Sequence, residues 1–273
     1  MSQDPLTAFV SRSLRADVTG VRSEVVAKNA LIEVERIRFS QEGVERSLAL
    51  KRVPQDDSLE VQLLPFLARK TDRVPRVLAR GVPPAAVPAW PWIMTEDLLD
   101  TTSACHEDAR AIVLTKVAIE RAVAADGPAL KALGVKTITP SELVERALER
   151  AATDRPLDAE ARGAAVLLSS LPTVLCHGEL ACTHARQTAR GVILMEWRRA
   201  YLGCALIDIA HLSEDVRQFT GQDPGDKLFG YYGELTGVTV NKDMARASRL
   251  VSQVTRTRNT EQNPRGAPYK QVK

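Results

Sequence analysis

The 273-residue chain has little of what several protein classes require. Its four cysteines are too few for a disulfide framework in a chain of this length, and they fit a reducing, cytoplasmic compartment. No run approaches 18 apolar residues, so no membrane span is expected, and the first dozen residues lack the apolar core of an export signal. Because the 37 basic residues are nearly balanced by 34 acidic ones, the net charge gives no support for binding nucleic acid or an anionic membrane surface.

What is present is the composition of a globular protein, with 44% hydrophobic and 26% charged residues. The apolar residues of the first 98 positions fall in short β-branched runs. Two of these runs, residues 31–39 and 44–53, flank a polar turn ending in Gly43 and predict an antiparallel hairpin. A helix is expected to begin near Ser58, and Pro65 should kink or shorten it.

After residue 98 the pattern becomes helical. Ala- and Leu-rich segments with helical spacing alternate with two short apolar strands as far as residue 258, and residues 259–273 form a polar segment that we expect to be a mobile tail. The sequence therefore predicts an α+β, bilobal fold: a small antiparallel-sheet lobe over residues 1–98 and a larger, mainly helical lobe over residues 99–258. In such a plan the default ligand site is the cleft between the lobes.

The first chemical signal is a lysine on a predicted strand. Side chains alternate along a strand, so Ala49 and Lys51 share one face while Leu48 and Leu50 share the other. A small residue two positions before a lysine lets a flat ring lie against the strand while the ammonium group reaches beyond it. Glu60, nine residues later on the next predicted helix, could hold that ammonium group. Taken alone, the pattern also fits a solvated strand surface.

The second half of the chain supplies carboxylates at the ends of predicted strands. His177-Gly178-Glu179 follows one strand, and His184 comes five residues after Glu179. The next strand runs into Glu196-Trp197, and an acid, Asp208, then lies within an apolar helix.

In these motifs the sequence resembles the aminoglycoside phosphotransferase/choline kinase family, which has a protein-kinase-like fold. The family signature is His-Gly-Asp-x-x-x-x-Asn, then an apolar strand ending in Asp-Trp, then Gly-x-x-x-x-Asp-Leu-Ala. Residues 177–184, 194–197 and 203–210 follow it in order and spacing, and residues 74–77 and 92–98 resemble the family's approach to its interlobe hinge. The resemblance covers roughly Val18 to Phe219.

The resemblance implies an ATP-dependent kinase that transfers the γ-phosphate to a hydroxyl of an antibiotic, amino alcohol or sugar-like acceptor. Glu179 would orient the acceptor hydroxyl or take its proton, with His177 beside it. His184 and Glu196 would hold Mg²⁺ or Mn²⁺, and Asp208 would support the catalytic loop. The nucleotide would be bound by the following residues of the first lobe: Ala49, Lys51, Glu60, Met94, Thr95, Glu96 and Asp97.

Three of these positions depart together from the family pattern. Glutamate stands for aspartate at 179 and 196, which moves each carboxylate outward by one methylene, and histidine stands for asparagine at 184. Mg²⁺ demands near-ideal octahedral oxygen ligation, whereas imidazole suits other metals better. Two functions therefore stay open: an unusual small-molecule kinase, and a catalytically silent pseudokinase that binds a nucleotide or a partner.

Several neighbouring residues have two interpretations. Arg198 and Arg199 could steer an anionic substrate or form an exposed charged turn. The basic balance of the chain after Gly221 mildly disfavours highly cationic aminoglycosides as acceptors. His211 is expected at the surface or in a capping position.

Overall fold

A computed structural model describes residues 4–29, 32–54, 58–82, 89–106, 108–149 and 155–262. The chain divides into two compact units, residues 1–101 and 102–273. None of the helices in the described ranges combines the length and the apolar character needed to cross a membrane.

The described elements of the first unit are α1 (Pro5–Leu14), β1 (Thr19–Lys28), β2 (Glu33–Gln41), β3 (Val44–Arg52), α2 (Leu59–Lys70), β4 (Val77–Gly81) and β5 (Trp92–Glu96). The strands form a five-stranded antiparallel sheet with the order β1-β2-β3-β5-β4. One face of this sheet carries a core that includes Ile37, Leu48, Leu50 and Met94, and α1 adds Val10 to the same cluster.

The predicted hairpin is β2 and β3. Glu42 and Gly43 between them both have positive φ angles, 53° and 76°, as a two-residue hairpin turn requires. The pairing of Gln41 with Val44 then fixes the register, so that Leu48 and Leu50 face the core and Ala49 and Lys51 face the other way.

The sequence predicts that Pro65 kinks or shortens its helix, and the structure shows that the helix is not shortened. α2 is continuous over twelve residues with Pro65 inside it. A proline cannot donate to the carbonyl four residues earlier, here that of Val61. The guanidinium of Arg80, on β4, donates to that oxygen at 3.1 Å, so the acceptor that the proline leaves behind is satisfied from another element.

The second unit is mainly helical. Its described helices and strands are α3 (Ala109–Ala122), α4 (Gly127–Ala132), β6 (Lys136–Thr137), α5 (Pro140–Leu148), α6 (Arg155–Leu168), β7 (Thr173–Cys176), β8 (Ala185–Thr188), β9 (Gly191–Leu194), β10 (Tyr201–Cys204), α7 (Ala205–Thr220), α8 (Lys227–Thr236) and α9 (Lys242–Gln262). β10 lies between β6, to which it is parallel, and β7, to which it is antiparallel, while β8 and β9 form a separate hairpin.

The architecture confirms the predicted α+β fold class. α9 continues to Gln262, four residues into the segment expected to be a tail, and residues 263–273 of that segment lie outside the described residues. The prediction for His211 was wrong. Its side chain is buried in α7, because this helix is covered on most of its circumference rather than on one stripe.

Candidate active site

In the first unit, Lys51 forms a buried ion pair with Glu60. The Nζ of Lys51 lies 2.5 Å from Oε2 of Glu60, across the junction between β3 and α2. Both residues are buried, and Lys51 keeps 8% of its surface exposed. A buried ammonium group requires a charged partner, and the start of α2 supplies it nine residues along the chain. The structure thus brings these two predicted residues together.

The residues expected to contact the base lie on β3 and β5, with different orientations. Ala49 pairs with Thr95 across the sheet, so their side chains share the face that carries Lys51. Met94 pairs with Leu50 and is completely buried in the core on the opposite face, so its side chain does not point to the face of Lys51.

The two acids at the end of β5, Glu96 and Asp97, are held within the first unit. The N–H of Glu96 donates to the carbonyl of Arg76 at 3.0 Å, and Oε1 of Glu96 accepts from the N–H of Arg76. The guanidinium of Arg36 binds the carboxylate of Asp97 at 2.7 Å. The backbone N–H and the carboxylate of Glu96 are therefore both engaged within the first unit.

In the second unit, the loop that carries Glu179 is held by Asp208. The Oδ2 of Asp208 accepts from the N–H of His177 at 2.6 Å, and its Oδ1 accepts from the N–H of Gly178 at 3.0 Å. Asp208 is completely buried at the start of α7. Two charge-assisted hydrogen bonds to consecutive amides fix the backbone just before Glu179, which is the support expected of Asp208.

His177 is buried and both of its ring nitrogens are engaged. Nε2 lies 2.6 Å from the carbonyl oxygen of Met195, and Nδ1 accepts from the N–H of Glu179 at 3.3 Å. Burial lowers the pKa of His177 to about 4, so the ring is neutral near pH 7. These contacts favour a structural role for His177 in the loop.

A buried charged cluster behind Asp208 was missed by the sequence analysis. Lys116 on α3 forms an ion pair with Glu120 one helical turn later, and its Nζ lies 3.6 Å from Oδ2 of Asp208. The hydroxyl of Tyr232 donates to Glu120 at 3.1 Å. Burial alone would lower the pKa of Lys116, but the carboxylates of Glu120 and Asp208 raise it, so the lysine stays charged.

Glu179 faces two arginines. Its Oε2 lies 3.4 Å from the guanidinium of Arg198, and its Oε1 lies 3.7 Å from Nε of Arg199. These arginines belong to a short 3₁₀ turn, residues 197–199, which is anchored by the buried ring of Trp197. Gly178 allows the contact, because a Cβ at that position would lie 2.1 Å from the carbonyl oxygen of Arg199.

The two expected metal ligands lie at the same end of the β8–β9 hairpin. Ala185 pairs with Leu194, and the N–H of Met195 donates to the carbonyl of His184 at 2.9 Å. His184 therefore lies just before the start of β8, and Glu196 lies two residues after the neighbouring end of β9. The Nδ1 of His184 lies 2.8 Å from the carbonyl of Glu179, which leaves Nε2 as the ring nitrogen for a ligand. Glu196 has a left-handed backbone, with φ 66°.

These donors fit some divalent cations better than others. Among the described residues, no group of three or more His, Cys, Asp and Glu side chains could hold a metal ion without further ligands. One carboxylate and one imidazole form a mixed oxygen and nitrogen set, whereas Mg²⁺ prefers oxygen alone. The residues therefore depart from the oxygen-only ligand set that Mg²⁺ prefers.

A disulfide joins the loop to the segment before α3. Cys105 and Cys182 are bonded, with 5.3 Å between their Cα atoms, and Cys182 lies between Glu179 and His184 in the chain. The sequence predicts no disulfide framework, and the described residues contain this single disulfide. The sequence could not indicate the pair, because 77 residues separate its members. Cys176 and Cys204 are free and buried.

Comparison with known proteins identifies the fold. No protein-family model and no curated protein matches the sequence, but solved structures do. An aminoglycoside-3′-phosphotransferase of type VIII matches with a TM-score of 0.60 and 17% identity over 92% of this chain and 100% of that one. A macrolide 2′-phosphotransferase from Brachybacterium faecium gives 0.62 and 17% over 97% and 95%. A choline kinase from Cryptosporidium parvum gives 0.54 and 11% over 87% and 81%.

The chain has the protein-kinase-like phosphotransferase fold. This finding confirms, at the level of the fold, the resemblance that the sequence motifs indicated. In this phosphotransferase fold, the first unit carries the Lys51–Glu60 pair, and the second carries the loop held by Asp208. At 11–17% identity the likeness concerns the fold, so the function must be argued from the residues.

Proposed function

We propose that this protein is an ATP-dependent phosphotransferase that phosphorylates a hydroxyl group of a small molecule. The observation that carries the proposal is the loop of residues 177–179, which Asp208 fixes through two amides so that it presents Glu179 in a chain with a phosphotransferase fold. Phosphoryl transfer depends mainly on positioning and charge neutralisation, and a loop fixed in this way provides positioning.

We assign nucleotide binding to residues 1–98. Lys51, held by Glu60, would contact the phosphates, and Ala49 with Thr95 would form the flat surface against which the base lies. Two structures with this fold are consistent with nucleotide use: a spectinomycin phosphotransferase solved with ADP and spectinomycin, and a hygromycin-binding relative solved with AMP-PNP. We therefore expect ATP to be the phosphate donor.

We assign the acceptor side of the reaction to residues 99–258. Glu179 would accept the proton of the acceptor hydroxyl while the acceptor oxygen forms a bond to the γ-phosphorus of ATP. The bond between that phosphorus and the bridging oxygen of ADP breaks, and ADP leaves. Glu196 and His184 would hold the divalent cation, which when bound neutralises phosphate charge.

A second candidate function rests on the arginines beside Glu179. Each carboxylate oxygen of Glu179 faces a guanidinium group, so an acceptor hydroxyl would have to compete with Arg198 and Arg199 for this carboxylate. A protein in which that arrangement persists would bind nucleotide and act as a catalytically silent module.

The test is conversion of ATP to ADP with Mn²⁺ or Mg²⁺ and a panel of hydroxyl compounds. We expect acceptor-dependent turnover that is faster with Mn²⁺ and falls by about 10²–10⁴-fold in Glu179→Gln. Arg162→Gln, which alters an exposed pair with Glu145, is the matched control and should not change turnover. Stabilisation by ATP without turnover across the panel would favour the silent module, and unchanged turnover in Glu179→Gln would exclude the role given to that residue.

A further inference from the structure

The arginines beside Glu179 are placed by a rigid turn. Trp197 is almost completely buried, and its Nε1 donates to the carbonyl of Leu194 at 2.9 Å. Because the ring of Trp197 is held in the interior, it also holds the backbone of Arg198 and Arg199, which follow it in the same turn. Arg198 and Arg199 therefore reach Glu179 from a stable support, with Arg199 exposed and Arg198 partly buried.

The group formed by Glu179, Arg198 and Arg199 has a net positive charge. Two guanidinium groups lie within 4 Å of the carboxylate of Glu179, so this trio carries a net charge of +1. The side chain of Glu179 is 36% exposed, that of Arg199 50% and that of Arg198 20%. The trio is therefore open to a ligand, and a cationic acceptor would meet repulsion where its hydroxyl must approach Glu179.

We propose that the acceptor is an anionic hydroxyl compound, whose oxyanion binds Arg198 and Arg199 beside Glu179. Guanidinium groups bind carboxylates and phosphates through paired, charge-assisted hydrogen bonds. An oxyanion in that position takes the arginines as its own partners, so the carboxylate of Glu179 becomes available for the hydroxyl proton. This inference rests on the proposed function, and it explains why the arginines occupy the place where a general base is needed.

The experiment measures thermal stabilisation by probes built on one sugar skeleton: glucuronate, glucose 6-phosphate, glucose and glucosamine. We expect one or both anionic probes to raise the melting temperature, while glucose and glucosamine do not. If glucuronate alone acts, the recognised group is a carboxylate, and if glucose 6-phosphate alone acts, it is a phosphate. Stabilisation by glucosamine but not by either anion, or by none of the four, would overturn the inference.

Variants connect the effect to the two arginines. Arg198→Gln with Arg199→Gln should weaken binding of the anionic probe by about 10- to 100-fold, the range expected for losing hydrogen bonds between charged groups. Arg199→Gln alone, at the more exposed position, should weaken it less and guards against misfolding of the double variant. Arg162→Gln is the control. Retention of full probe binding in the folded double variant would overturn the inference.

Binding of ATP separates this inference from the proposed function. ATP-induced stabilisation should persist in the double arginine variant and disappear in Lys51→Met. If the arginine variant loses it as Lys51→Met does, the arginines serve the nucleotide and the inference fails. If the wild type shows anion binding without any ATP effect, the proposed function fails and the oxyanion site remains.

Discussion

The two units each bury a lysine against a glutamate, with different results. Lys51 bridges a strand and a helix, and it keeps 8% of its surface exposed. Lys116 lies within one helix, is 1% exposed, and is enclosed by Glu120, Asp208 and Tyr232. The same type of ion pair therefore holds a partly exposed lysine, for which we propose contact with a nucleotide, and a fully enclosed lysine that lies beside the carboxylate holding a backbone loop. Exposure and the third partner distinguish the two uses.

The largest expected effect is the loss of the enclosed lysine. Lys116→Met leaves Glu120 and Asp208 buried without their cation, and removing one partner of a buried pair costs about 3–5 kcal/mol. We expect this decrease in the free energy of unfolding in urea denaturation. Lys131→Met, on the exposed surface of α4, is the control. A cost below about 1 kcal/mol would contradict the view that Lys116 holds the loop through Asp208.

The second effect concerns the covalent bond of the second unit. Cys105→Ser with Cys182→Ser removes a link across 77 residues, and loss of such a link lowers stability by about 2–4 kcal/mol. The measurement is urea denaturation of the variant beside the wild type with and without a dithiol reductant. Reduction should lower the stability of the wild type alone. If the reductant has no effect on either protein, the bond is not formed in solution.

The third prediction tests the proposed contact between Lys51 and the nucleotide. At an ATP concentration about 100 times the dissociation constant, binding should stabilise the wild type by roughly 2.7 kcal/mol, and Lys51→Met should lose this increment. Lys70→Met, exposed at the end of α2, serves as the control. A full ATP effect in Lys51→Met would show that the two lysine pairs do not differ in the way proposed.

The smallest effect is a pH dependence confined to the second unit, which contains all four histidines. Burial, opposed by Asp208 and reinforced by Arg256, lowers the pKa of His211 to about 4. Below pH 6.5 the ring of His211 is protonated in the unfolded chain, whereas in the folded chain it stays neutral down to about pH 4. The free energy of unfolding therefore decreases as the pH falls. From pH 6.5 to 4.5 this group contributes a loss of about 2 kcal/mol.

His211→Leu tests this contribution. No described group forms a hydrogen bond with either ring nitrogen of His211, so an apolar side chain can replace it. The variant should lose less stability than the wild type between pH 6.5 and 4.5 in denaturation curves. Parallel pH profiles would mean that His211 does not titrate as its burial requires.

The sequence predicted what local periodicity controls. Strand alternation placed Ala49 and Lys51 on one face, and the short spacing to Glu60 brought its partner within reach. Lys116 and Glu120 were not predicted, because an i, i+4 pair on a helix has the same pattern whether it is solvated or enclosed. Burial of that helix depends on α8, more than a hundred residues later in the chain.

The differences from the sequence predictions have the same origin in distant contacts. Pro65 was expected to kink or shorten α2, and the guanidinium that satisfies the freed carbonyl of this unshortened helix comes from β4. The bond between Cys105 and Cys182 depends on the position of a loop that no local pattern specifies. For the site, the loop residues could be predicted from the motif, whereas the arginine contacts of Glu179 depend on the turn at Trp197.

The left-handed backbone at Glu196 has a consequence for engineering. A residue with a Cβ pays a conformational cost in that region that glycine does not pay. A library sorted only for heat resistance should therefore enrich glycine at position 196, and with it discard the carboxylate. Because we propose that Glu196 holds the divalent cation, a screen for turnover should instead retain glutamate at this position.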